Sequence, residues 1–174
     1  MQSYFNHSSQ RLDFRALTER DIPLWEPFFV NNDRLRFFGF DEGKSNLELS
    51  ADWINRQLDR YQENGLGMLA VIEKSSGDLI GLCGIISREF EGETIYEIGY
   101  SLMQSHWGKG YATEAATHMR EVGNQLGVSS LYVSTIHPEN VDSMKVAERN
   151  GMKRLKNGVF NDMELVIFGD EGAV

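Results

Sequence analysis

Trp107-Gly108-Lys109-Gly110-Tyr111-Ala112-Thr113-Glu114-Ala115 stands between a run that reads as a strand, 94–102, and one that reads as a helix, 112–126. Two glycines one residue apart let the backbone turn without Cβ clashes and let a ligand approach the amides. The first amides of a helix lack intrahelical partners and carry the positive end of its dipole. A glycine turn feeding a helix is therefore a phosphate site in waiting. The run lacks the serine or threonine that a P-loop places after its lysine. It also lacks the third glycine and the early position in a parallel sheet of a dinucleotide fold.

Working outward, the chain alternates polar and apolar residues at 11–17, which predicts a first strand. Thr18 with Asp21 three residues on predicts a helix start before Ile22, Leu24, Trp25, Phe28 and Phe29. A second helix is predicted from Asn46 to Asn64, with Leu47, Trp53, Ile54, Leu58 and Tyr61 as its apolar stripe and Gly65 as its stop. Strands follow at 68–73, 79–88 and 94–102, joined by turns short enough to make antiparallel neighbours. Beyond the glycine run come a strand at 131–136, a helix at 140–150 ended by Gly151, and closing strands at 153–155 and 164–168. The expected fold is α/β: a mostly antiparallel mixed sheet of six to seven strands with helices on both faces, in one domain spanning 1–174. The segment from the meander's last strand through the helix to strand 131–136 is expected to form a right-handed crossover.

Composition narrows the partners. Seventeen Lys and Arg face 26 Asp and Glu, a net charge of −9, which disfavours nucleic acid and anionic membranes. Cys83 is the single cysteine and sits in an apolar run, so it reads as a core residue. The first seven residues have neither a basic region nor an apolar core, and no apolar run reaches membrane-spanning length. The expectation is a soluble cytoplasmic protein, monomer or homodimer, with no metal.

About 30 residues past the glycine run lies Asn140-Val141-Asp142-Ser143-Met144-Lys145-Val146-Ala147-Glu148-Arg149-Asn150-Gly151-Met152. The two motifs together resemble the GNAT N-acetyltransferases. Gly99-Tyr100-Ser101-Leu102 leading into the glycine run is most similar to the subgroup acting on ribosomal-protein N-termini, the RimJ/RimL type. The resemblance implies acetyl-CoA as cosubstrate, lying in a V-shaped opening between strands 94–102 and 131–136. It implies that amides from Gly108, Lys109, Gly110, Tyr111 and Ala112, with the Thr113 hydroxyl, hold the pyrophosphate. The backbone at Leu102 would pair with the pantetheine arm, and the Leu102 or Met103 amide would face the oxyanion. Trp107 stands where many relatives carry Arg or Gln. Lys109, Lys145 and Arg149 read either as partners of outer phosphates or as solvated cations. Asn140 reads both as a helix N-cap and as a pantetheine contact.

For the base, residues 95, 97, 99 and 101 share one strand face, and Glu97 is the first candidate. The alternative for Glu97 is an exposed strand carboxylate; Glu164 is the reserve. His106 and His137 are further candidates by residue type, without a role fixed by the resemblance. Many relatives place a tyrosine at the position of Ala147. Ser143 is the hydroxyl left on that helix, read as acid or thiolate partner, or as a capping residue beside Asn140. The acceptor is expected to be an amine or peptide N-terminus, with cationic character met by Asp41 and Glu42. One of Phe37, Phe38 and Phe40 would line its pocket. The competing reading is a non-catalytic acyl-CoA sensor or scaffold.

Overall fold

A computed structural model describes residues 4–160 and 162–174. The strands are β1 (Asn6–Ser8), β2 (Leu12–Arg15), β3 (Gly67–Glu73), β4 (Leu79–Phe90), β5 (Glu93–Leu102), β6 (Val133–Ile136), β7 (Lys153–Phe160) and β8 (Met163–Gly169). They form one sheet in the order β1-β2-β3-β4-β5-β6-β8-β7. Every pairing is antiparallel except β5 with β6. The helices are α1 (Ile22–Trp25), α2 (Asn46–Asn64), α3 (Tyr111–Gln125) and α4 (Val141–Arg149).

The mixed architecture is the expected one, with eight strands instead of six to seven. The added strand is β1, three residues with one buried side chain, His7, and too short for any alternation to register. The first helix is also different from its prediction. Thr18 and Asp21 do make the capping box, but the helix breaks into a 3-10 turn, four α residues and a second 3-10 turn ending at Phe29. Pro27 explains the break, because it has no amide to give and its ring meets the carbonyl four residues back. α2 falls where the sequence placed it, near 46–64: Ser45 and Glu48 cap its start and Gly65, at φ 74°, ends it. Leu47, assigned to the apolar stripe, is exposed, and Leu49 is buried in its place.

Alternation along the central strands divides the core between two faces. One cluster, including Phe14, Leu69, Ile85, Ile98, Ala115 and Met119, lies beneath α3 and α4. The other, including Trp25, Phe28, Ile54, Ala70, Leu82 and Ile86, lies beneath α1 and α2. Cys83 is fully buried in the first. Gly84 sits where β3 and β4 press closest: an added Cβ would lie 2.1 Å from the Gly67 carbonyl oxygen and 2.7 Å from Met68 Cα. Those are backbone atoms and cannot rotate away. Gly84→Ala is expected to lower the unfolding free energy by about 1–3 kcal/mol, the usual range for overpacking. An unchanged urea midpoint would show that the strands have room to part.

The feature that positions the site is the parting of β5 and β6. Among the described residues one register pair, Glu97 opposite Val133, joins them. Just beyond it the Ser134 hydroxyl donates to the Ile98 carbonyl at 2.8 Å, and the strands then diverge. No helix of the described residues is long and apolar enough to cross a membrane.

Candidate active site

Two cavities meet at this split. One, of about 370 Å³, lies against the glycine turn and the start of α4. The other, of about 550 Å³, lies between α2, the segment 37–41 and the β5–β6 opening. Phe38, Tyr100, Ser101, Asn140 and Ser143 line both, so a molecule in each would meet there.

The smaller cavity is built by backbone. Gly108 and Gly110 have φ of 74° and 81°, the left-handed region that glycine enters without strain. A Cβ at Gly108 would meet nothing within 4 Å, so the turn leaves open space beside its amides. Gly110 is the N-cap of α3 and makes no side-chain cap bond. The first α-helical bond recorded here is Glu114 N–H to the Gly110 carbonyl, at 3.0 Å, which leaves the preceding amides for something else. Arg34, Lys145 and Arg149 add positive charge to the rim, against one acid, Asp142.

The turn is clasped from behind. Arg11 donates to the Lys109 carbonyl at 3.0 Å and to Glu114 at 2.6 Å, with its guanidinium 4.3 Å from the centre of the Tyr111 ring. In front, the Trp107 indole donates to the Leu102 carbonyl at 2.7 Å. Arg34 lies 3.6 Å from the Trp107 ring centre and reaches Asp142 at the start of α4, at 2.5 Å. Trp107 therefore fixes the end of β5 and carries the cation that ties segment 33–37 to α4.

Of the residues singled out in the sequence, Leu102, Trp107, Gly108, Gly110, Tyr111, Ala112, Thr113, Asn140 and Ser143 all line this cavity, as do Lys145 and Arg149. Lys109 does not; its side chain is exposed, and its carbonyl serves Arg11. Met103 does not either, because its amide donates to the Ile80 carbonyl at 2.9 Å. Leu102 is the next residue along an antiparallel ladder, opposite Gly81, so its amide points away from β4 and into the split. Of those two amides, the one that faces the split is that of Leu102.

Asn140 caps α4, its Oδ1 accepting from the Ser143 amide at 3.2 Å. That bond uses the Ser143 backbone and leaves its hydroxyl free to donate to the Tyr100 oxygen at 3.2 Å. Tyr100 in turn donates to the Ser143 carbonyl at 2.8 Å. Burial pushes the Tyr100 phenol well above its ordinary range, so it stays neutral. Sequence reasoning quoted Tyr100 but gave it no role. Alternation alone puts it on the α3–α4 face, opposite Glu97.

Glu97 lines the larger cavity and is buried, 6% exposed. Its Oε1 accepts from the Thr135 hydroxyl at 2.7 Å, and its Oε2 takes the Arg88 Nε–H. The alternative of an exposed strand carboxylate is thereby removed. Glu164 is exposed on β8 and lines neither cavity. His106 borders the smaller cavity; His137 borders the larger one, stacked on Phe37 with ring centres 4.8 Å apart. Phe37, Phe38 and Phe40 all line the larger cavity, beside Trp53. Asp41 lines it too, while Glu42 does not. Among the described residues no three His, Cys, Asp or Glu side chains gather to hold a metal ion.

Residues 11–153 match the acetyltransferase (GNAT) domain family, and the chain belongs to it. It is therefore an acetyltransferase. It is 30% identical over 157 residues to an uncharacterized N-acetyltransferase, p20, of Bacillus licheniformis, covering 90% of this chain and 85% of that one. Among solved structures, an acetyltransferase from Agrobacterium tumefaciens superposes with a TM-score of 0.80 at 27% identity, over 98% of this chain and 96% of that one. The fold is also that of RimL, a ribosomal L7/L12 alpha-N-protein acetyltransferase solved in complex with coenzyme A. That superposition has a TM-score of 0.75 at 16% identity and covers 93% and 94% of the two chains.

Proposed function

We propose that this protein is a single-domain, acetyl-CoA-dependent N-acetyltransferase whose acceptor is a primary amine, on a peptide N-terminus or a small molecule. The observation that carries this reading is the meeting of two chemically different cavities at Tyr100, Ser101, Asn140 and Ser143. One side offers unpaired amides and cations, suited to the phosphates of a coenzyme; the other offers a buried carboxylate beside an aromatic wall.

The residues of the smaller cavity fit coenzyme A. Amides from Gly108 to Ala112 hold the pyrophosphate, with the Thr113 hydroxyl beside them. Arg34, Lys145 and Arg149 supply the charge that the net −9 of the chain otherwise opposes. Tyr100 presents the outward edge of β5 to an extended ligand, which pairs in the manner of an added strand, with the Leu102 carbonyl held by Trp107 and the Leu102 amide left for the oxyanion. Coenzyme A supplies an activated acetyl group as a thioester; the chain's task is to orient, to deprotonate and to stabilise charge.

Glu97 acts as general base. Its two oxygens offer about four acceptor sites. The Thr135 hydroxyl, the Thr135 amide and Arg88 use three of them, so one remains for a water that relays the ammonium proton. The Leu102 amide faces the developing oxyanion. Ser143 hydrogen-bonds the departing thiolate by turning its single O–H proton away from the Tyr100 oxygen, to which it donates in the free protein. A serine is a weak acid and a thiolate leaves readily, so this contribution is small. Ser143→Ala is expected to lower kcat about tenfold, below the usual span for general acid–base groups. The Asn140 cap stays intact in that variant, and unchanged turnover would remove Ser143 from the mechanism.

The reading as a whole is tested by thiol release from acetyl-CoA across a panel of amines. Release that depends on an amine supports it. Tight acetyl-CoA binding with no release for any acceptor would favour the non-catalytic sensor, for which the buried Ala147 in place of a tyrosine is the supporting observation.

A further inference from the structure

The larger cavity has a charge pattern that an amine alone does not explain. Seven charged side chains line it: Asp41, Lys44, Asp52, Arg56, Arg60, Arg88 and Glu97. Four neutralise one another, Lys44 with Asp52 at 2.6 Å and Arg88 with Glu97. Among the described residues Arg56 and Arg60 form no ion pair at all, in a chain with nine more acids than bases. They are four residues apart on α2 and so stand on one face of the helix, where like charges repel. Asp41 is occupied elsewhere, accepting from the Gly43 amide at 2.9 Å in a local turn.

Arg60 is held in place. Its Nη1 donates to Gln57 Oε1 at 3.1 Å, and Gln57 is itself fully buried, fixed by the Met68 amide at 3.0 Å and the Trp53 carbonyl at 3.2 Å. Burial first, and then Arg88 and Arg56 nearby, disfavour the charged form of Arg60, with Glu97 and Glu63 opposing the shift. A half-buried guanidinium, positioned by a buried amide and repelled by two others, is an arrangement that raises the energy of the free protein. An anion in the cavity would lower it, and a planar fork of donors suits a carboxylate or phosphate.

We infer that the acceptor is a zwitterion: a primary amine carrying a carboxylate or phosphate that Arg56 and Arg60 receive, with the aromatic wall of Phe38, Phe40 and Trp53 along its middle. The inference rests on the acetyl-transfer reading and specifies its acceptor. It replaces the expectation of acidic residues meeting a purely cationic ligand. Glu97, which takes the amine proton, and the two arginines line the same cavity, so one short peptide reaches both.

The test uses amidated tripeptides that differ only in the third side chain: aspartate, phosphoserine, asparagine or lysine. The wild-type protein is expected to acetylate the aspartate or phosphoserine peptide with kcat/KM at least tenfold above the asparagine peptide, chiefly through KM. Whichever of the two anions is preferred identifies carboxylate or phosphate as the group received. In the double variant Arg56→Gln, Arg60→Gln the ratio of anionic to neutral peptide should fall toward one, and Arg60→Glu should move preference toward lysine. Should the double variant fail to fold, Arg56→Gln alone, at an exposed and unpaired position, should still lower the ratio several-fold. Equal rates for all four peptides, a preference for lysine in the wild type, or a ratio that survives both substitutions overturns the inference and leaves acetyl transfer standing. Absence of thiol release with any amine instead overturns the transferase reading. The anion site is then decided by tryptophan-fluorescence titration with the aspartate and asparagine peptides, where equal affinity overturns it.

Discussion

Glu97→Gln is expected to reduce kcat/KM for an ordinary primary amine by about 10²–10⁴-fold, the span that general-base catalysis contributes. The substitution preserves volume and keeps an acceptor for the Thr135 hydroxyl, which lies 2.7 Å from Oε1. It removes the negative charge and offers no good partner to Arg88 Nε–H, whose acceptor is the other oxygen. Loss of one partner from a buried pair is itself destabilising, so folding must be separated from chemistry. A thermal melt does this, and Glu97→Asp provides a second variant that retains the charge while withdrawing it by one methylene. The discriminating measurement is the dependence on acceptor basicity. An amine that is protonated at the assay pH needs a base, whereas a weakly basic hydrazide is already neutral. Proton removal by Glu97 predicts a loss many-fold larger for the amine than for the hydrazide. Equal losses for the two would reassign Glu97 to holding Arg88 and the strand edge in position.

How much of this was readable beforehand follows from what each residue type can signal. The glycine turn and the Asn140 cap were legible because local backbone demands dictate them: left-handed φ at 108 and 110, and an acceptor for the α4 amides. Glu97 was legible because strand alternation fixes its face. Its burial was not, since the Thr135 and Arg88 partners come from β6 and β4. Met103 and Lys109 looked equivalent to their neighbours until strand pairing turned one amide toward Ile80 and the Arg11 clasp took the other's carbonyl. Arg56 and Arg60, on the 46–64 helix, carried no signal that set them apart from other surface cations. Only the packing of α2 over β4 and the segment 37–41 makes their face of it a cavity wall. Tyr100 and Arg34 carried no sequence signal of their own, because their meaning lies in contacts 43 and 108 residues away. Local chemistry was visible; of the larger cavity, the aromatic run 37–40 and Asp41 were legible, while the two arginines and the burial of Glu97, which are tertiary, were not.

The second large effect is on stability in mild acid. His7 on β1 and His118 on α3 share a hydrogen bond, Nδ1 to Nε2, at 2.9 Å, with both rings against Phe14. His7 is 8% exposed, and among the described residues its Nε2 has no hydrogen-bond partner, so a proton placed there would be buried without an acceptor. Burial first, and His118 second, push the His7 pKa down to about 4; burial also lowers that of His118. Glu121 and Glu114 face His118 and oppose the shift, while Lys74 reinforces it. A histidine depressed in the fold titrates near 6.5 when unfolded, so the unfolded chain takes up protons first as the pH drops. Stability is full above about 6.5, is lost as the pH falls toward about 4, and levels off below that. Between pH 7 and pH 5 the loss should be about 2 kcal/mol, read from urea unfolding. This window lies above the range in which ordinary carboxylates titrate. His7→Phe, which keeps a ring against Phe14, should remove most of that pH dependence while costing part of the stability at pH 7. An identical pH 7-to-5 difference in the variant and the wild type would assign the effect elsewhere. The consequence reaches the coenzyme side, because Glu114, one helical turn before His118, takes Ser9 at 2.7 Å and Arg11 at 2.6 Å from the same β1–β2 corner. Protonating the histidine pair is therefore expected to weaken the same corner from which Arg11 holds the glycine turn through the Lys109 carbonyl.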